Sequence, residues 1–329
     1  MTIKIAIIGG GAWGSALALR FHHNGHDVSI FLRDAAQKSK LEAGFHTHLG
    51  ENKAFTKLNY HLDFHALKQH DFILLCTPAQ SLKQIAQHIK PYISTATPLI
   101  ITSKGIDQHS GDLLSSLLSQ HLINPLYFLS GPSFAHDVAK GLPTAVTFAG
   151  NESQERIEAH SKNLSSPQFR LYACDDIIGV QLGGALKNIL AIGAGIVEGY
   201  GLGVSARAAL ITRGFVEMQR LAAYYGANPM TLYGLSGLGD LMLTTNSPLS
   251  RNFAYGVMIG EDARQGQPLP SAQKTTEGIA TAKAVYHIAK QHEIDMPICS
   301  VIYKILYDNL TISDAMQMLM QRENIWEKE

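Results

Sequence analysis

Cysteine is scarce in this chain. Three cysteines, Cys76, Cys174 and Cys299, are spread over 329 residues, and no two of them form a C-x-x-C pair. So few and so widely separated thiols argue against a disulfide framework and suit a reducing compartment. We therefore expect a cytoplasmic protein.

A charge excess is also missing. Lysine plus arginine equals aspartate plus glutamate at 27 each, so the chain has no overall positive field to attract nucleic acid or an anionic membrane. The hydrophobic share of 46% is large enough for a substantial core, and the length allows two domains. These numbers predict a soluble globular protein, and nothing in the charge pattern suggests a polyanionic partner.

No apolar run is clean enough to predict a membrane span. Residues 177–197 come closest, but Gln181, Lys187 and Asn188 lie in the middle of this stretch. The opening IKIAIIGGG carries a single lysine and no cleavage site, so we do not expect a signal peptide. Fifteen histidines are present, but His22 and His26 straddle an Asn-Gly helix stop without accompanying cysteines or carboxylates, and we expect no metal site.

Short β-rich runs alternate with helical patterns in the first half of the chain, which is the order of βαβ units and a mostly parallel sheet. The predicted strands are Ile3–Ile8, Asp27–Leu32, Phe72–Thr77, Pro98–Thr102, Leu126–Leu129, Thr144–Phe148 and an edge strand Phe169–Ala173. After Cys174 long helical patterns dominate, such as Val204–Tyr225 and Thr276–His292. We predict an α/β dinucleotide-binding domain of the Rossmann type over residues 1–176 and an all-helical substrate domain over residues 177–329.

A glycine-rich loop directly follows the first predicted strand. Gly9, Gly11 and Gly14 form a G-x-G-x-x-G pattern that opens a helix, and in this context it predicts a site for a dinucleotide diphosphate. Arg33 lies at the end of the second strand, where an arginine would read the 2′-phosphate of NADP, whereas Asp34 beside it could bind a ribose hydroxyl. The cofactor is thus NADP(H), NAD(H) or both.

Lys187 lies in LGGALKNILA, an almost wholly apolar helical stretch. Small residues, Gly183, Gly184, Ala191 and Ala194, share its helical face and would leave room for a ligand to approach the ammonium group. The competing interpretation is close helix packing, with Lys187 reaching a carboxylate.

Other candidate polar residues follow predicted strands or lie at predicted helix starts, where ligands of such folds bind. Lys104 follows the predicted strand Pro98–Thr102, and the SGPSFA segment, residues 130–135, follows the next predicted strand. Asp240 ends a glycine-rich turn and could bind a substrate hydroxyl, pair with a lysine or cap the next helix. We predict a second helix start with Ser247 as N-cap and Pro248 next, so that Arg251 and Asn252 lie in a first turn suited to phosphate.

These segments together resemble the bacterial type of NAD(P)-dependent glycerol-3-phosphate dehydrogenase. The resemblance spans nearly the whole chain and rests on motifs that occur in the family's order: GGGAWG, TSKG, SGPSFA, GVQLGGALKN, ARAALITRG, GLGDL, SRN and TTEG. Two positions depart from the family pattern, Ser15 and the Thr275-Thr276 pair, and neither touches the expected chemistry.

The resemblance implies hydride transfer between NAD(P)H and dihydroxyacetone phosphate, giving sn-glycerol 3-phosphate for phospholipid synthesis, by a homodimer. Lys187 would be the catalytic acid and base, and Lys104 and Asp240 would be its charged catalytic neighbours. The implied substrate contacts are Lys104, Gly131, Ser133, Lys187, Asp240, Ser250, Arg251 and Asn252. The implied cofactor contacts are the loop glycines with Trp13, Arg33, Lys104, Ala135, Arg251 and Glu277.

Two other functions stay open at this level. One is another reaction on the same scaffold, reduction of a 2-oxo acid, as by ketopantoate-reductase-like enzymes. The other is a nicotinamide-sensing protein without turnover, which would have no need of an acid and base at Lys187.

Overall fold

The computed structural model describes residues 2–270 and 277–322. In the N-terminal half the strands and helices are β1 Lys4–Ile8, α1 Ala12–His23, β2 Asp27–Phe31, α2 Ala35–Glu42, β3 Phe45–His46, β4 Gly50–Glu51, β5 Asn59–His61, β6 Phe72–Leu75, α3 Leu82–Ile89, β7 Leu99–Ile101, α4 Leu114–Ser119, β8 Leu126–Ser130, α5 Ala135–Ala139, β9 Thr144–Gly150, α6 Gln154–Leu164 and β10 Phe169–Cys174. The later elements are α7 Ile177–Tyr200, α8 Val204–Tyr224, α9 Pro229–Leu232, α10 Asp240–Thr245, α11 Arg251–Arg264, α12 Glu277–Gln291, α13 Pro297–Tyr307 and α14 Ile312–Met320.

Eight strands form one sheet in the order β10-β9-β8-β7-β6-β1-β2-β5. Neighbours are parallel except β8 and β9, which pair antiparallel. The six strands from β5 to β8 follow the order 3-2-1-4-5-6 of the dinucleotide-binding fold, and the order reverses between β1 and β6. Ligands of such sheets bind at this reversal, beyond the carboxyl ends of the strands.

The seven predicted strands are all present, including the edge strand β10, which pairs with β9. The sequence analysis missed β5 and the small hairpin of β3 and β4. The β5 strand Asn-Tyr-His has polar residues on both sides of its only apolar one, so no apolar run marks it. Its place at the sheet edge, beside β2, tolerates that composition.

The described residues after Asp176, 177–270 and 277–322, are helical and contain no strand, as predicted. Helix α7 is the centre of this part: it is the one helix of the described chain long and apolar enough to cross a membrane, but 89% of its most apolar window is buried inside the protein. Its hydrophobic length thus belongs to a domain core. The predicted helix 204–225 is α8, and 276–292 is α12 except for Thr276, which lies outside the described residues.

Glycines bring α7 and α11 into backbone contact. A Cβ added at Gly195 would overlap the Phe253 carbonyl oxygen, and one added at Gly256 would overlap that of Ile192. The small face around Lys187 is filled in the same way, because Ala191 and Ala194 pack with Phe253. The expected open space along this face was therefore wrong, and close helix packing is what the small residues permit.

Candidate active site

The glycine-rich loop lies at the carboxyl end of β1, at the reversal of strand order. Gly9 has φ +112°, and a Cβ there would lie 2.6 Å from the Cys76 carbonyl oxygen, so the loop requires glycine against β6. Gly11 is exposed, has open space where a Cβ would lie, and is the N-cap of α1 without a side-chain cap. The free amides of this helix start and its open approach fit a dinucleotide diphosphate.

Residues expected at the two ends of the cofactor flank this loop. Trp13 is half-buried in the first turn of α1, and Arg33 is exposed just beyond β2, the strand beside β1. The Asp34 carboxylate accepts a 2.9 Å hydrogen bond from the Ala36 amide and caps α2. One oxygen of Asp34 is therefore already used, and Arg33 has the more open position.

The centre of the site is one buried carboxylate shared by two lysines. Lys187 Nζ lies 2.5 Å from Asp240 Oδ1, and Lys104 Nζ lies 2.5 Å from Asp240 Oδ2. Lys187 also donates to Thr244 Oγ1 at 2.8 Å. The Asp240 side chain is 1% exposed and that of Lys187 8%, whereas Lys104 is 19% exposed, so the cluster opens to solvent on the Lys104 side.

Burial and charge act on these groups in opposite directions. Burial, the largest cause, lowers the pKa of Lys187 to about 7; Asp240 opposes this shift and Lys104 adds to it. Burial alone would raise the pKa of Asp240, but the two lysines outweigh it and lower that pKa below its ordinary value. At neutral pH the cluster therefore holds a fixed carboxylate and an amine that can be either protonated or neutral.

The turn before Asp240 places its carboxylate. Leu235–Gly239 form a π-helical turn, and Asp240 is the first residue of α10. Gly183 of α7 lies so close that a Cβ would be 2.6 Å from the Ser236 carbonyl oxygen. The N-cap of α10 is Gly239, so the capping interpretation of Asp240 was wrong and the lysine-pairing one is confirmed.

The end of β8 closes another side of the site. Gly184 has Ser130 Oγ and the Lys104 side chain at 2.9 and 3.4 Å from the position of an added Cβ, so the absence of a side chain lets both approach α7. Beyond β8, Ser133 Oγ donates to the Gly131 carbonyl at 3.1 Å, and half-buried Ala135 begins α5.

The SRN segment begins α11, but one turn later than predicted. Ser250, not Ser247, is the N-cap: its Oγ accepts from the Phe253 amide at 3.2 Å. Ser247 and Pro248 belong to a preceding turn, because Ser250 N donates to the Ser247 carbonyl at 3.0 Å. Arg251 and Asn252 nevertheless lie in the first helical turn, with Arg251 exposed and Asn252 buried.

Asn252 ties three helices together. Its Nδ2 donates to Asn188 Oδ1 at 2.9 Å, and its Oδ1 accepts from the Gly278 amide at 3.0 Å. Gly278 follows Glu277, the first residue of α12. This network joins α7, α11 and α12 directly beside Lys187.

Glu277 is half-buried and faces the same site. Burial raises its pKa, and the positive charges of Arg251, Lys104 and Lys187 oppose that shift, so these groups lie within electrostatic reach of one another. Thr275 and Thr276 before it lie outside the described residues.

Sequence reasoning missed two residues that the structure brings into the cluster. Thr244 follows Asp240 by four residues, a helical spacing that puts both on one face, and could have been found on that ground. Asn188 was seen only as polar company for Lys187, and its bond to Asn252 depends on a contact between distant helices. Within the described residues, no group of three or more histidine, cysteine, aspartate or glutamate side chains could hold a metal ion.

A dinucleotide-binding sheet joined to a helical domain, with a lysine–carboxylate cluster between them, defines a two-domain dinucleotide-dependent dehydrogenase. Family models for the N-terminus and C-terminus of NAD-dependent glycerol-3-phosphate dehydrogenase match residues 4–156 and 176–317. The chain belongs to this family.

Named relatives agree over almost the full length. Glycerol-3-phosphate dehydrogenase [NAD(P)+] of Mesorhizobium japonicum is 44% identical over 97% of this chain and 92% of its own, and that of Chelativorans sp. is 42% identical over 97% of each. The crystal structure of glycerol-3-phosphate dehydrogenase from Coxiella burnetii has a TM-score of 0.86 and 35% identity, covering 98% of this chain and 99% of its own. A ketopantoate reductase from Ralstonia eutropha, at 13% identity and a TM-score of 0.59 over 95% of this chain and 100% of its own, shares the fold alone.

Replacing Asp240 by asparagine should destabilise the protein, because two ammonium groups would then share a neutral amide. We expect the free energy of unfolding, from urea denaturation at pH 7, to fall by about 3 kcal/mol. The carboxylate has a lowered pKa, so its contribution is present above about pH 4 and is lost as the pH falls through the lowered value. The difference in free energy of unfolding between wild type and Asp240→Asn should therefore become smaller as the pH falls below about 4.

The matched control is Asp308→Asn, at an exposed carboxylate after α13. This substitution should change the free energy of unfolding by less than about 0.5 kcal/mol. Equal effects of the two substitutions would contradict the stabilising role of the Asp240 carboxylate.

Proposed function

We propose that this protein catalyses the reversible NAD(P)-dependent oxidation of sn-glycerol 3-phosphate to dihydroxyacetone phosphate. The observation that carries the proposal is the buried pair of Lys187 and Asp240, which Lys104 joins from the end of β7, two strands from the β1 strand that leads into the glycine-rich loop. The residue after Lys187, Asn188, is bonded to Asn252 at the SRN helix start. Family membership supports the same reaction. The sn-glycerol 3-phosphate formed in the reductive direction would supply phospholipid synthesis in the cytoplasm.

The chemistry requires a hydride and a proton to move at C2 of the substrate. The bound nicotinamide supplies the hydride for reduction and accepts it in oxidation. Protonated Lys187 would donate its proton to the oxygen of the forming alkoxide during reduction, and neutral Lys187 would take the hydroxyl proton during oxidation. A pKa of about 7 gives Lys187 both forms near neutral pH.

Lys104 and Asp240 would have different electrostatic roles in this proton transfer. The Lys104 ammonium group, on the more exposed side of the cluster, would stabilise negative charge on the C2 oxygen. Asp240 would hold both lysines at fixed positions, and Thr244 would orient the Lys187 amine through their 2.8 Å hydrogen bond.

The substrate phosphate would bind at the start of α11. The Arg251 guanidinium is exposed there, and the helix amides beside it carry partial positive charge. Ser250 and Asn252 would complete this end, with Gly131 and Ser133 on the opposite side of the substrate. Asn252 keeps one amide hydrogen for a ligand after its bond to Asn188.

The cofactor would lie along the carboxyl edge of the sheet. Its diphosphate would bind at Gly9, Gly11 and Gly14, with the remaining contacts from Trp13, Arg33, Lys104, Ala135, Arg251 and Glu277. This arrangement fits the open helix start at Gly11, the packing of α5 against α1, and the position of Glu277 of α12 within electrostatic reach of the lysines.

We also propose the division of the chain at Asp176 and assembly as a homodimer. Asp176 caps α7 through a 2.8 Å bond from the Gly179 amide, directly after the last strand, which supports a boundary there. A symmetric dimer is the commonest oligomer of soluble proteins. No nucleic acid or membrane partner is proposed.

Substituting methionine for Lys187 should remove proton transfer while preserving the length and apolar packing of the side chain. We expect kcat for dihydroxyacetone phosphate reduction, followed as loss of NADPH absorbance, to fall by about 10²-fold to 10⁴-fold. Cofactor affinity should change little. The matched control is Lys290→Met, at an exposed lysine of α12, which should keep wild-type turnover.

The proton-transfer role of Lys187 would be wrong if the Lys187→Met protein bound cofactor normally and kept most of its turnover. The same assay separates this function from reduction of unphosphorylated carbonyl compounds. Equal wild-type turnover of dihydroxyacetone and its phosphate would argue against the phosphate site at α11.

Replacing Arg33 by aspartate should shift the cofactor preference toward NADH. A lost charge-assisted contact to the 2′-phosphate, with repulsion in its place, should raise Kd for NADPH at least about tenfold relative to Kd for NADH. Fluorescence titration of both reduced cofactors measures this ratio. The control is Arg170→Asp, on the far edge strand β10, which should leave the ratio of the two Kd values unchanged. If Arg33→Asp also left this ratio unchanged, the assignment of Arg33 to the 2′-phosphate would be refuted.

A further inference from the structure

The carbonyl oxygen of Gly10 in the glycine-rich loop is held by several side chains. His46 Nε2 lies 3.1 Å from this oxygen and Ser15 Oγ lies 3.3 Å from it, and the Gln37 amide nitrogen also donates to it. These donors come from three elements, α1, α2 and the hairpin of β3 and β4. A loop that must present its backbone to a ligand is thus fixed from the side away from the helix start.

The surroundings of His46 determine which ring nitrogen carries the hydrogen. Nδ1 lies 3.0 Å from the backbone nitrogen of His48 and 3.2 Å from that of Leu49, and both of these groups are N–H donors. Nδ1 must therefore be the acceptor, so Nε2 carries the hydrogen and donates to Gly10. Burial lowers the pKa of His46, which favours this neutral form.

The ring is also fixed by packing. His46 is 3% exposed, and its ring stacks on Phe55 with centroids 6.1 Å apart and planes 26° from parallel. The hydrogen bonds at both nitrogens and the stacking on Phe55 leave the imidazole one orientation. Its direction toward Gly10 is thus set before any ligand arrives.

Fixing the Gly10 carbonyl also fixes the amide on the other side of the same peptide bond. The described backbone contains no cis peptide bond, and in a planar trans peptide the C=O and N–H groups point in opposite directions. The Gly11 N–H must consequently point away from His46. Gly11 is the exposed N-cap of α1 with open space around it.

We propose that His46 is a positioning residue for the cofactor: it holds the peptide between Gly10 and Gly11 so that the Gly11 amide faces the dinucleotide diphosphate. The inference rests on the proposed NAD(P)-dependent function. It adds a residue outside the glycine motif and outside the resemblance, contributed by a two-stranded hairpin. Without His46 the Gly10 carbonyl keeps only the Ser15 and Gln37 donors, so the peptide is held less firmly and the diphosphate meets a less ordered donor.

The test is cofactor affinity in two His46 variants. His46→Ala should raise Kd for both NADH and NADPH, measured by fluorescence titration, by about tenfold, which corresponds to about 1.4 kcal/mol. Turnover at saturating cofactor and KM for dihydroxyacetone phosphate should stay within about threefold of wild type. His46→Gln should restore most of the affinity, because its amide nitrogen reaches the Nε2 position and can donate to Gly10.

Two controls separate positioning from a general loss of structure. His160→Ala removes a half-buried histidine that packs edge-on against Phe72, at the start of β6, and should leave Kd unchanged. Gln37→Met removes a half-buried side chain that donates to the same carbonyl and should raise Kd about threefold even if His46→Ala does not fold.

The outcomes are distinguishable. If the wild type binds neither dinucleotide, the proposed function fails and this inference fails with it. If the wild type binds, but folded His46→Ala and Gln37→Met bind equally well, the inference alone is overturned. A lower melting temperature with unchanged Kd would likewise assign His46 a purely structural role.

Discussion

The rest of this site depends on one interaction, the contact of a single buried carboxylate with two lysines. Asp240 and Lys187 lie in the helical domain, whereas Lys104 follows a strand of the sheet. The ammonium nitrogen of each lysine lies 2.5 Å from an oxygen of the Asp240 carboxylate. Leaving these two ammonium groups without that carboxylate would destabilise the fold by about 3 kcal/mol. Burial, helped by the positive charge of Lys104, keeps the pKa of Lys187 lowered although Asp240 opposes the shift, and this lowered pKa suits the proposed proton transfer.

The glycines of α7 make this arrangement possible. Gly183 admits the turn that carries Asp240, and Gly184 admits Ser130 and the Lys104 side chain. Larger residues at either position would push the turn or Lys104 away from Lys187. The small face of α7 thus permits the close approach of protein groups and does not form an open channel.

The sequence was most informative where local pattern and chemistry coincide. A local sequence pattern predicted the glycine-rich loop and the alternation of strands and helices. Lys187 was conspicuous as a charge in an apolar helix, and pairing with a lysine was one of the roles predicted for Asp240. The N-cap role of Ser250 depends on where α11 begins, which a local sequence pattern determines only to within a few residues, whereas Thr244 could have been found from its helical spacing to Asp240. The contact of His46 with Gly10 could not be predicted, because it joins residues 36 apart in the sequence and leaves no local signal. The strand β5 could not be predicted because its single apolar residue makes no apolar run.

The central claim is that charge and burial together set the pKa of Lys187. The most direct measurement is an NMR titration of ¹³C-labelled lysine side chains, with the Lys187 signal assigned by its loss in Lys187→Arg. The account predicts a titration near pH 7 in the wild type, and a higher pKa in Lys104→Met, where one opposing positive charge is gone. A wild-type pKa in the ordinary lysine range, or no upward shift in Lys104→Met, would contradict it.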